Sequence, residues 1–518
     1  GAFEYQGEIS PDRETPSLVV TTAADVFDLV DGEISLREAI YYAGPGDLGT
    51  TVTFDAMLDG QTIKLGGAAL WLDESLTIDA SALSSLTVDA GGKSRVFRVT
   101  TGEVVLDSLT ITGGQAENGG GIHNTGHLTI RNSVLTGNSA TNYGGGVYSS
   151  GTLTVTDTEI IGNTATSHGG GIRNSGTLSV TNSVLTGNST GSYGGGIYSY
   201  SGTFSVTDST LDGNWAKSAG GAIYVTFDTL SVSGSTFSGN SADDNKNGGR
   251  GGAIYIYSAA AAIVESSMSD NSARRDGGAI SINNGSLSLV NSTLSENSIK
   301  GTSGSNCNGG GIHNQSGTIS VVASTLIGNS AKEYGGAIYN EGTLSVTNST
   351  FSGNSANVSG GAIDSRGILA VTNSSFAANA GGTSGAIYHT GSLTLENSIL
   401  WRNSGTEIDG SGAFLGVPNL IGVNPGLVRD PSDGGDGWRD DPSTTEVDEA
   451  ANNDYGDLHL IDRSPAIGYG DNSLLPFDTQ DLDGDGDAAE SLPLDRDGQV
   501  RIFGTAVDIG AFEYQGEI

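Results

Sequence analysis

The sequence predicts an all-β protein, a right-handed parallel β-helix (a solenoid) whose rungs contain about 25 residues each. Three observations predict this fold. A glycine motif recurs at nearly constant intervals, apolar and polar residues alternate between its copies, and an asparagine follows at the same position of every copy. A short N-terminal capping helix and an irregular acidic C-terminal cap are also expected, because both ends of a stacked coil need covering.

The glycine motif, Gly-Gly-(Gly/Ala)-Ile with small variations, occurs eleven times at intervals of 24 to 32 residues. The two longest intervals contain the insertions Asp243–Arg250 and Lys300–Asn308. The apolar residue of the motif is, in chain order, Ile122, Val147, Ile172, Ile197, Ile223, Ile254, Ile280, Ile312, Ile338, Ile363 and Ile387. Glycine is expected where a side chain would crowd the neighbouring rung. The motif therefore predicts a tight bend in each rung.

Apolar and polar residues alternate after the motif. Leu153 and Val155 point to one side, and Thr154 and Thr156 to the other, which is the period of a strand with one buried face. A second apolar column follows at Leu135, Ile160, Leu185, Leu211, Phe237, Met268, Leu294, Leu326, Phe351, Phe376 and Leu400. With the motif isoleucine, these columns predict three short strands and three bends per rung. A helical alternative fails, because each glycine would cost about 1 kcal/mol in a helix.

An asparagine stands three residues after each member of the second apolar column: Asn138, Asn163, Asn188, Asn214, Asn240, Asn271, Asn297, Asn329, Asn354, Asn379 and Asn403. We expect these residues to adopt the left-handed conformation of a tight bend, which asparagine tolerates. Their amides are predicted to stack as a hydrogen-bonded ladder between rungs. A ligand-binding stripe is the alternative interpretation of this column.

The first rungs are predicted to be less regular than the repeats. Four irregular strands add roughly four rungs: Leu76–Asp79, Leu86–Asp89, Val96–Val99 and Val104–Thr112. Before them, Ser35 and Glu38 form a predicted capping box at the start of a short helix. Leu36, Ala39 and Ile40 are expected to cover the open end of the first rung.

These observations divide the chain into seven segments. They are residues 1–9, the tail of a preceding unit; 10–16, a linker; 17–60, the N-terminal cap; 61–118, irregular first rungs; 119–403, the regular β-helix of eleven repeats; 404–470, irregular C-terminal rungs and loops; and 471–518, an Asp-rich calcium-loop cap and inter-unit joint.

The chain is strongly acidic, with a formal net charge of −37. Such a charge argues against nucleic acid and anionic membranes as partners. Trp401–Ile518 alone holds 25 Asp and Glu against 6 Arg and no Lys, a net of −19, which favours bound cations or a saline exterior. The one cysteine, Cys307, excludes internal disulfides and is either an incidental thiol or an intermolecular crosslink. No apolar stretch of about 20 residues predicts membrane insertion.

The same nine residues occur at Gly1–Ile9 and at Gly510–Ile518. We expect one unit of a tandem array, with neighbouring copies of the chain as head-to-tail partners. Ser10–Pro16 contains two prolines and is predicted to be a short linker of limited flexibility. The aromatic residues expected at the inter-unit joint are Phe3, Tyr5, Phe512 and Tyr514.

The Asp-rich segment near the C-terminus is the predicted metal site. Alternating aspartates with glycine turns can wrap several oxygen ligands around Ca²⁺. The candidate ligands are Asp481, Asp483, Asp485, Asp487, Asp495 and Asp497. The pattern departs from an EF-hand, because its twelfth position is Leu492 and Glu490 comes two residues early. A solvated acidic loop is the alternative, and Asp430–Asp441 is a second stretch of the same ambiguous kind.

A third column, directly after the motif isoleucine, is predicted to point outward. It contains Tyr148, Tyr198, Tyr224, Tyr255, Tyr339 and Tyr388, interrupted by His123, Arg173, Ser281, His313 and Asp364. Its tyrosines either stack on each other or bind glycans. Hydrolysis or β-elimination of a polysaccharide would need a cluster of acidic or basic groups. Arg274, Arg275 and Asp276 come closest to one, and structural salt bridges explain them equally well.

The repeats resemble a known family. Gly-Gly-Ala-Ile, as in Gly220–Ile223, together with Phe-x-x-Asn, as in Phe351–Asn354, resembles the polymorphic outer-membrane protein repeats of chlamydial adhesins. Leu18–Ile40 looks like the N-terminal module named for Cys-Ser-Leu-Arg-Glu-Ala, although Ile34 replaces the cysteine, so no role of that thiol carries over. Ser464–Gly468 and Val507–Glu513 are similar to the closing segment of large bacterial surface proteins.

The resemblance implies an exported or surface-attached protein with adhesive or scaffolding work. We therefore predict a structural repeat unit of an extracellular or cell-surface fibre, stalk or giant adhesin, connected head to tail and stiffened by calcium at its C-terminal cap. Glycans or another cell surface are further expected partners. The alternative is a polysaccharide-binding or polysaccharide-cleaving β-helix protein.

Overall fold

A computed structural model describes residues 15–43, 49–244, 248–302, 307–432, 454–478, 482–483, 485, 487, 490–502 and 506–515. The chain divides into two units, Gly1–Ser189 and Thr190–Ile518. Each unit is built almost entirely from parallel β-strands, and the predicted fold class, a parallel β-solenoid, is confirmed. The described residues make about 15 turns in total.

The first unit begins with the predicted helix, which spans Leu36–Tyr42. The hydroxyl of Ser35 accepts a hydrogen bond from the Glu38 amide at 3.2 Å, and the Glu38 carboxylate accepts one from the Ser35 amide at 2.8 Å. This reciprocal pair is the predicted capping box. The predicted cover differs at one position, because Ile40 is only half-buried and Tyr42 is buried instead.

The strands of the first unit form three groups. The first group contains Val19–Val20, Thr51–Phe54, Leu70–Leu72, Leu76–Asp79, Phe97–Val99, Glu103–Asp107, Ile122–Asn124, His127–Arg131, Val147–Ser149, Thr152–Thr156, Ile172–Asn174 and Thr177–Thr181. The second contains Thr62–Lys64, Thr87–Asp89, Thr110–Thr112, Val134–Thr136, Glu159–Ile161 and Val184–Thr186. The third contains Gln115–Asn118, Ser139–Tyr143 and Thr164–Ala165, and its next strand, Ser189–Thr190, spans the boundary between the units. A 3-10 helix spans Ala56–Leu58.

Repeats in the first unit pair in register. Leu128 lies beside Leu153, which lies beside Leu178, so like residues stack in buried columns. The predicted run Val104–Thr112 is divided into two strands, because Ser108 has a φ of 61° and turns the chain through a corner. A one-dimensional sequence pattern does not reveal this corner, since both halves are apolar.

The second unit repeats the three groups. The first contains Ile197–Thr207, Ile223–Ser233, Ile254–Tyr257, Ala260–Val264, Ile280–Asn283, Ser286–Val290, Ile312–Asn314, Thr318–Val322, Ile338–Asn340, Thr343–Thr347, Ile363–Ser365, Ile368–Thr372, Ser384–His389, Ser392–Glu396, Thr406–Gly410 and Phe414–Leu415. The second contains Thr210–Asp212, Thr236–Ser238, Ser267–Ser269, Thr293–Ser295, Thr325–Ile327, Thr350–Ser352, Ser375–Ala377, Ser398–Trp401 and Asn419–Ile421.

The third group of the second unit consists of two-residue strands: Trp215–Ala216, Ser241–Ala242, Ser272–Ala273, Ser298–Ile299, Ser330–Ala331, Ser355–Ala356 and Ala380–Gly381. An antiparallel pair, Leu427–Arg429 with Asp457–Leu460, and a 3-10 helix at Asn472–Leu474 follow. Each rung therefore has three sheet positions, as predicted, but the strands that form them differ from the prediction. The motif isoleucine and the Leu-x-Val segment share one sheet, and the third sheet is the Ser-Ala pair, which is too short to show alternation.

Glycine has the predicted steric role at the bends. Gly251 has a φ of +60°, in the region that favours glycine. A Cβ on the next residue, Gly252, would lie 2.1 Å from the carbonyl oxygen of Gly278 in the following rung. No side chain fits in that space.

The C-terminal segment of the second unit runs along the side of the coil. We call the described residues of 454–515 the C-terminal strap. Its hydrogen bonds to the coil join Tyr455 to Ser352, Asp471 to Asn397, Leu494 to Asn348, Arg496 to Thr325, and Ala511 to Ser375. The predicted cap therefore packs against the flank of several successive rungs.

Candidate functional site

The ladder asparagines are buried and bonded from rung to rung. The side-chain amide of Asn240 donates to Oδ1 of Asn271 at 2.9 Å, and the backbone amide of Asn240 donates to the same oxygen at 3.0 Å. Nδ2 of Asn271 in turn donates to the carbonyl oxygen of Phe237 at 3.0 Å. In the first unit, Asn138 and Asn163 make the same contact at 3.0 Å.

In the first unit this ladder contains Asn138, Asn163 and Asn188, and in the second Asn214, Asn240, Asn271, Asn297, Asn329, Asn354, Asn379 and Asn403. Nδ2 of Asn403 donates to Oε2 of Glu407 at 2.6 Å. Burial raises the pKa of Glu407 above its usual range, although the bonds from Asn403 partly oppose this. The side chains face the interior, which does not support the ligand-stripe alternative.

The expected left-handed conformation falls on a different residue. It belongs to the position directly before the ladder asparagine, as at Gly239 with a φ of 60°, Asp270 with 56° and Glu296 with 56°. The ladder asparagines therefore do not serve as corner residues. They stabilise the fold because each side chain forms hydrogen bonds to the rungs on both sides, as at Asn271.

A second internal ladder, made of hydroxyl groups, escaped the sequence analysis. The backbone amide of Ser235 donates to Oγ of Ser266 at 3.1 Å, and that hydroxyl donates to the carbonyl oxygen of Val264 at 2.7 Å. Its members in the two units are Ser133, Thr158, Ser183, Ser209, Ser235, Ser266, Ser292, Ser324, Ser349, Ser374 and Ser398. The available signal was a serine or threonine two residues before each second-column residue.

The tyrosine column is less exposed than predicted, and its rings cover one another. The Tyr198 and Tyr224 ring centroids lie 5.2 Å apart at 14°, and those of Tyr224 and Tyr255 lie 5.1 Å apart at 22°. Tyr255 is only 5% exposed and Tyr339 only 2%. Burial, followed by the neighbouring tyrosines, raises the pKa of Tyr224. Of the two alternatives for this column, the structure therefore shows tyrosines stacked on each other, with neighbouring rings covering their faces.

The cluster proposed for catalysis is held in salt bridges. Arg274 pairs with Asp243 at 3.3 Å, and Asp276 pairs with Arg250 at 3.0 Å. His313, which the sequence analysis did not connect with this cluster, lies 3.9 Å from Asp276, and burial lowers its pKa. These contacts agree with the structural interpretation of the cluster.

A cleft of about 510 Å³ opens beside this cluster in the second unit. Its wall combines charged, amide and phenolic groups, namely Asp244, Arg250, Tyr255, Tyr257 and Asn283. Such a lining can donate and accept hydrogen bonds, which is the chemistry that recognises hydroxyl-rich ligands.

The Asp-rich loop brings three carboxylates together: one oxygen each of Asp478, Asp483 and Glu490 lie within 4.8 Å of one another. Asp483 belongs to the predicted ligand set, whereas Asp478 lies upstream of the motif and was missed. Asp485 and Asp487 continue the loop and are exposed, with the Asp487 amide donating to Asp485 at 2.7 Å. Asp481 lies outside the described residues.

Asp495 and Asp497 are engaged elsewhere in the strap. Oδ1 of Asp495 accepts from the amides of Asp497 at 2.9 Å and Gln499 at 2.8 Å, which closes a tight turn. Asp497 contacts the imidazole of His459. Burial lowers the pKa of His459, but its bonds to Asp497 and Asp457 raise it more, so the net shift is upward. The structure does not bring these two aspartates into the three-carboxylate cluster.

The described copy of the repeated nonapeptide packs into the second unit. Phe512 lies against Ala377 and Leu458, and Tyr514 contacts a cluster that contains Ile399. The guanidinium of Arg501, which is 0% exposed, donates to the carbonyl oxygen of Ala511 at 3.0 Å. Phe3 and Tyr5, the corresponding residues of the first copy, lie outside the described part of the chain.

These features define a parallel β-helix whose repeats carry buried asparagine and hydroxyl ladders. Four segments match the sequence model of the Chlamydia polymorphic membrane protein repeat: residues 208–226, 234–257, 323–341 and 348–366. The chain carries β-helix repeats of this type, as the resemblance indicated. No helix among the described residues has the length and hydropathy to span a membrane.

Among solved structures, the chain is similar to the crystal structure of pectate lyase Pel9A, with 12% identity over 96% of each chain and a TM-score of 0.22. A score this low carries no argument about function. The search of curated proteins found no match.

Proposed function

We propose that this chain is a structural repeat unit of a cell-surface or extracellular fibre, stalk or adhesin. The observation that carries the proposal is the internal ladder system, in which each rung bonds to the next through buried side chains such as Asn271. Stacked repeats of this kind gain stability from their neighbours and suit a long, stiff element. The match to a membrane-protein repeat supports a surface location.

We further propose that units are connected head to tail. The copy of the nonapeptide at Gly510–Ile518 makes specific contacts through Ala511 and Phe512, and the identical residues at Gly1–Ile9 can satisfy the same contacts on a preceding unit. Apolar side chains near the last turns of the coil, including Val417 at 78% exposure, offer additional surface for a neighbouring unit. We also propose that bound Ca²⁺ stiffens the C-terminal strap.

The location is tested on intact cells with an antibody raised against residues 119–403. Surface labelling, together with loss of the epitope after external protease treatment, is the expected result. Labelling only after permeabilisation would contradict a surface function. An antibody against a cytoplasmic protein serves as the control for cell integrity.

Polysaccharide binding is the second candidate function, and the cleft beside Arg250 and Tyr257 favours it. An acidic polysaccharide would pair with Arg250, whose present partner is Asp276. The test is binding of polygalacturonate to the full chain by calorimetry, with a neutral glucan as control and product release followed in parallel. Binding that Arg250→Ala and Arg274→Ala abolish would support this candidate, and no measurable binding would remove it.

A further inference from the structure

We propose that Asp478, Asp483 and Glu490 bind one Ca²⁺ ion, and that this ion latches the C-terminal strap onto an apolar patch on the side of the coil. The inference rests on the calcium part of the proposed function and deepens it by naming the ligands and the element that they hold. It does not depend on the fibre or on the cellular location.

The first argument is the separation of the ligand atoms. Ca²⁺ binds carboxylate oxygens at about 2.3–2.6 Å, so two of its ligands lie at most about 5 Å apart. The three carboxylate oxygens of the cluster lie within 4.8 Å of one another, which fits a shared ion. Asp485 and Asp487 are exposed nearby along the loop and can add ligands, directly or through water.

The second argument is independent of the cluster and concerns the burial of Asp478. This residue is only 1% exposed, and its Oδ1 atom is buried without a hydrogen-bond partner in the described part of the chain. Oε1 of Glu490 is likewise buried and has no such partner there. A carboxylate oxygen removed from water is costly unless a donor or a cation compensates it. A cation between these atoms provides that compensation.

The backbone fixes the cluster in place. The amide of Asp478 donates to the carbonyl oxygen of Glu490 at 2.8 Å, and Oδ2 of Asp478 accepts from the Leu482 amide at 2.7 Å. One oxygen of Asp478 is therefore bonded to the backbone of the loop, and the other is left for an ion.

The charges around the cluster also favour a cation. The exposed carboxylates of Asp485 and Asp487 add further negative charge along the same loop. The sequence has no Lys or Arg between Arg463 and Arg496, so this stretch supplies no positive side chain of its own. Binding of a divalent ion relieves the repulsion between the carboxylates.

The loop is coupled to the coil through Leu482, which lies between two of the ligands in sequence. Leu482 packs against an apolar patch made of Val290, Val322 and Ala323. Val264 continues the patch in the preceding rung, whereas the equivalent positions on either side, Ser233 and Thr347, are polar. A β-helix alone does not require valine on this outer face. Contact with Leu482 explains the departure, so ion binding and docking of the strap reinforce each other.

The experiment measures Ca²⁺ binding and strap docking separately on the full chain. Calorimetry with Ca²⁺, and with Mg²⁺ for comparison, gives the affinity, while limited proteolysis with Ca²⁺ or EDTA reports the strap. We expect one bound Ca²⁺ and rapid cleavage within 454–515 only in EDTA. Asp478→Asn keeps an acceptor for the Leu482 amide and should lower the affinity at least about tenfold. Asp462→Asn, at an exposed acid outside the cluster, is the control.

The variant Leu482→Ser distinguishes docking of the strap from Ca²⁺ binding. It should retain Ca²⁺ binding to within about threefold, because it removes no carboxylate, and yet leave the strap open to protease in Ca²⁺. Absence of Ca²⁺ binding to the wild-type chain, or an unchanged affinity of Asp478→Asn, would overturn the site. A strap as protected in Leu482→Ser as in the wild type would overturn the latch. Surface labelling of cells is unaffected by either outcome, so failure of this inference is distinct from failure of the surface proposal.

Discussion

At the scale of single residues, the side chain of a ladder asparagine is worth more than an ordinary buried polar group. Asn271 takes part in four side-chain hydrogen bonds, two as acceptor and two as donor. Its removal leaves both amide groups of Asn240 without their acceptor in a site closed to water. An orphaned buried group costs about 1–3 kcal/mol, more than a simple hydrogen bond contributes.

We therefore predict that Asn271→Ala lowers the stability of the second unit by about 3 kcal/mol or more. Hydrogen exchange at increasing denaturant concentration measures the effect at the amides of neighbouring rungs. Asn357→Ala, at an exposed asparagine, should stay within about 0.5 kcal/mol. Equal effects of the two substitutions would contradict the ladder interpretation.

A buried acid makes stability depend on pH. Burial raises the pKa of Asp364 to about 6, although its bond from Ser359 and the charge of Arg366 oppose the shift. Between pH 4 and pH 6 the unfolded chain has released this proton while the folded protein still holds it. Stability at this site therefore falls as the pH rises through that interval, by up to about 3 kcal/mol.

We predict that Asp364→Asn is more stable than the wild type at pH 7.5 and similar to it at pH 4, because the amide stays neutral throughout. Thermal unfolding at the two pH values measures the difference. Asp462→Asn, at an exposed acid, is the control and should have no such pH-dependent gain. A variant that is less stable than the wild type at pH 7.5 would contradict the assigned pKa.

Some residue roles could be predicted from the sequence and others could not, for a physical reason. The asparagine column and the buried aliphatic columns could be predicted, because each repeats at the period of the coil. The position of the left-handed residue could not, since Gly239 and Asp270 occupy the same backbone conformation with different side chains. Asp478 was missed because its burial depends on how the strap packs, and no local pattern encodes that packing.

At the scale of elements, the glycine bend determines how closely successive rungs approach. Two adjacent glycines differ in the space around them. A Cβ on Gly310 would lie 2.3 Å from the Gly336 carbonyl oxygen, whereas one on Gly311 would meet its nearest atom, the Ala337 carbonyl oxygen, at 2.8 Å. Other repeats carry alanine at the second of these positions, as at Ala253.

We predict that Gly310→Ala disrupts the bend and costs more than about 3 kcal/mol, while Gly311→Ala changes stability by less than about 1 kcal/mol. The pair is a matched comparison, since the substitutions are identical and adjacent. Denaturant unfolding followed by circular dichroism measures both. Similar midpoints for the two variants would contradict the steric argument.

The strap is the element that sequence analysis described least well. Its contacts join residues far apart in the chain, such as Arg496 and Thr325, and no repeat period relates them. The one local signal was the replacement of outward polar residues by Val290 and Val322. These valines indicate that this face is covered, but they do not indicate which segment covers it. The sequence therefore predicted only a C-terminal cap, without its contacts.

At the scale of the whole molecule, the scaffold that we propose would gain its stability from the stacking of similar repeats. The net charge of −37 attracts cations, which agrees with the Ca²⁺ site that we propose. Fold class followed from the repeats alone, since a period near 25 residues with alternating strands admits few architectures. Function follows less directly, because a β-helix carries many different activities and only specific sites separate them.

The most direct test of the central claim is the mass of the native polypeptide after boiling in detergent and reductant, detected with an antibody against residues 119–403. If the proposed head-to-tail units belong to one polypeptide, we expect a product many times larger than the 52.4 kDa of this chain. A single band near 52.4 kDa would contradict a covalent array of head-to-tail units.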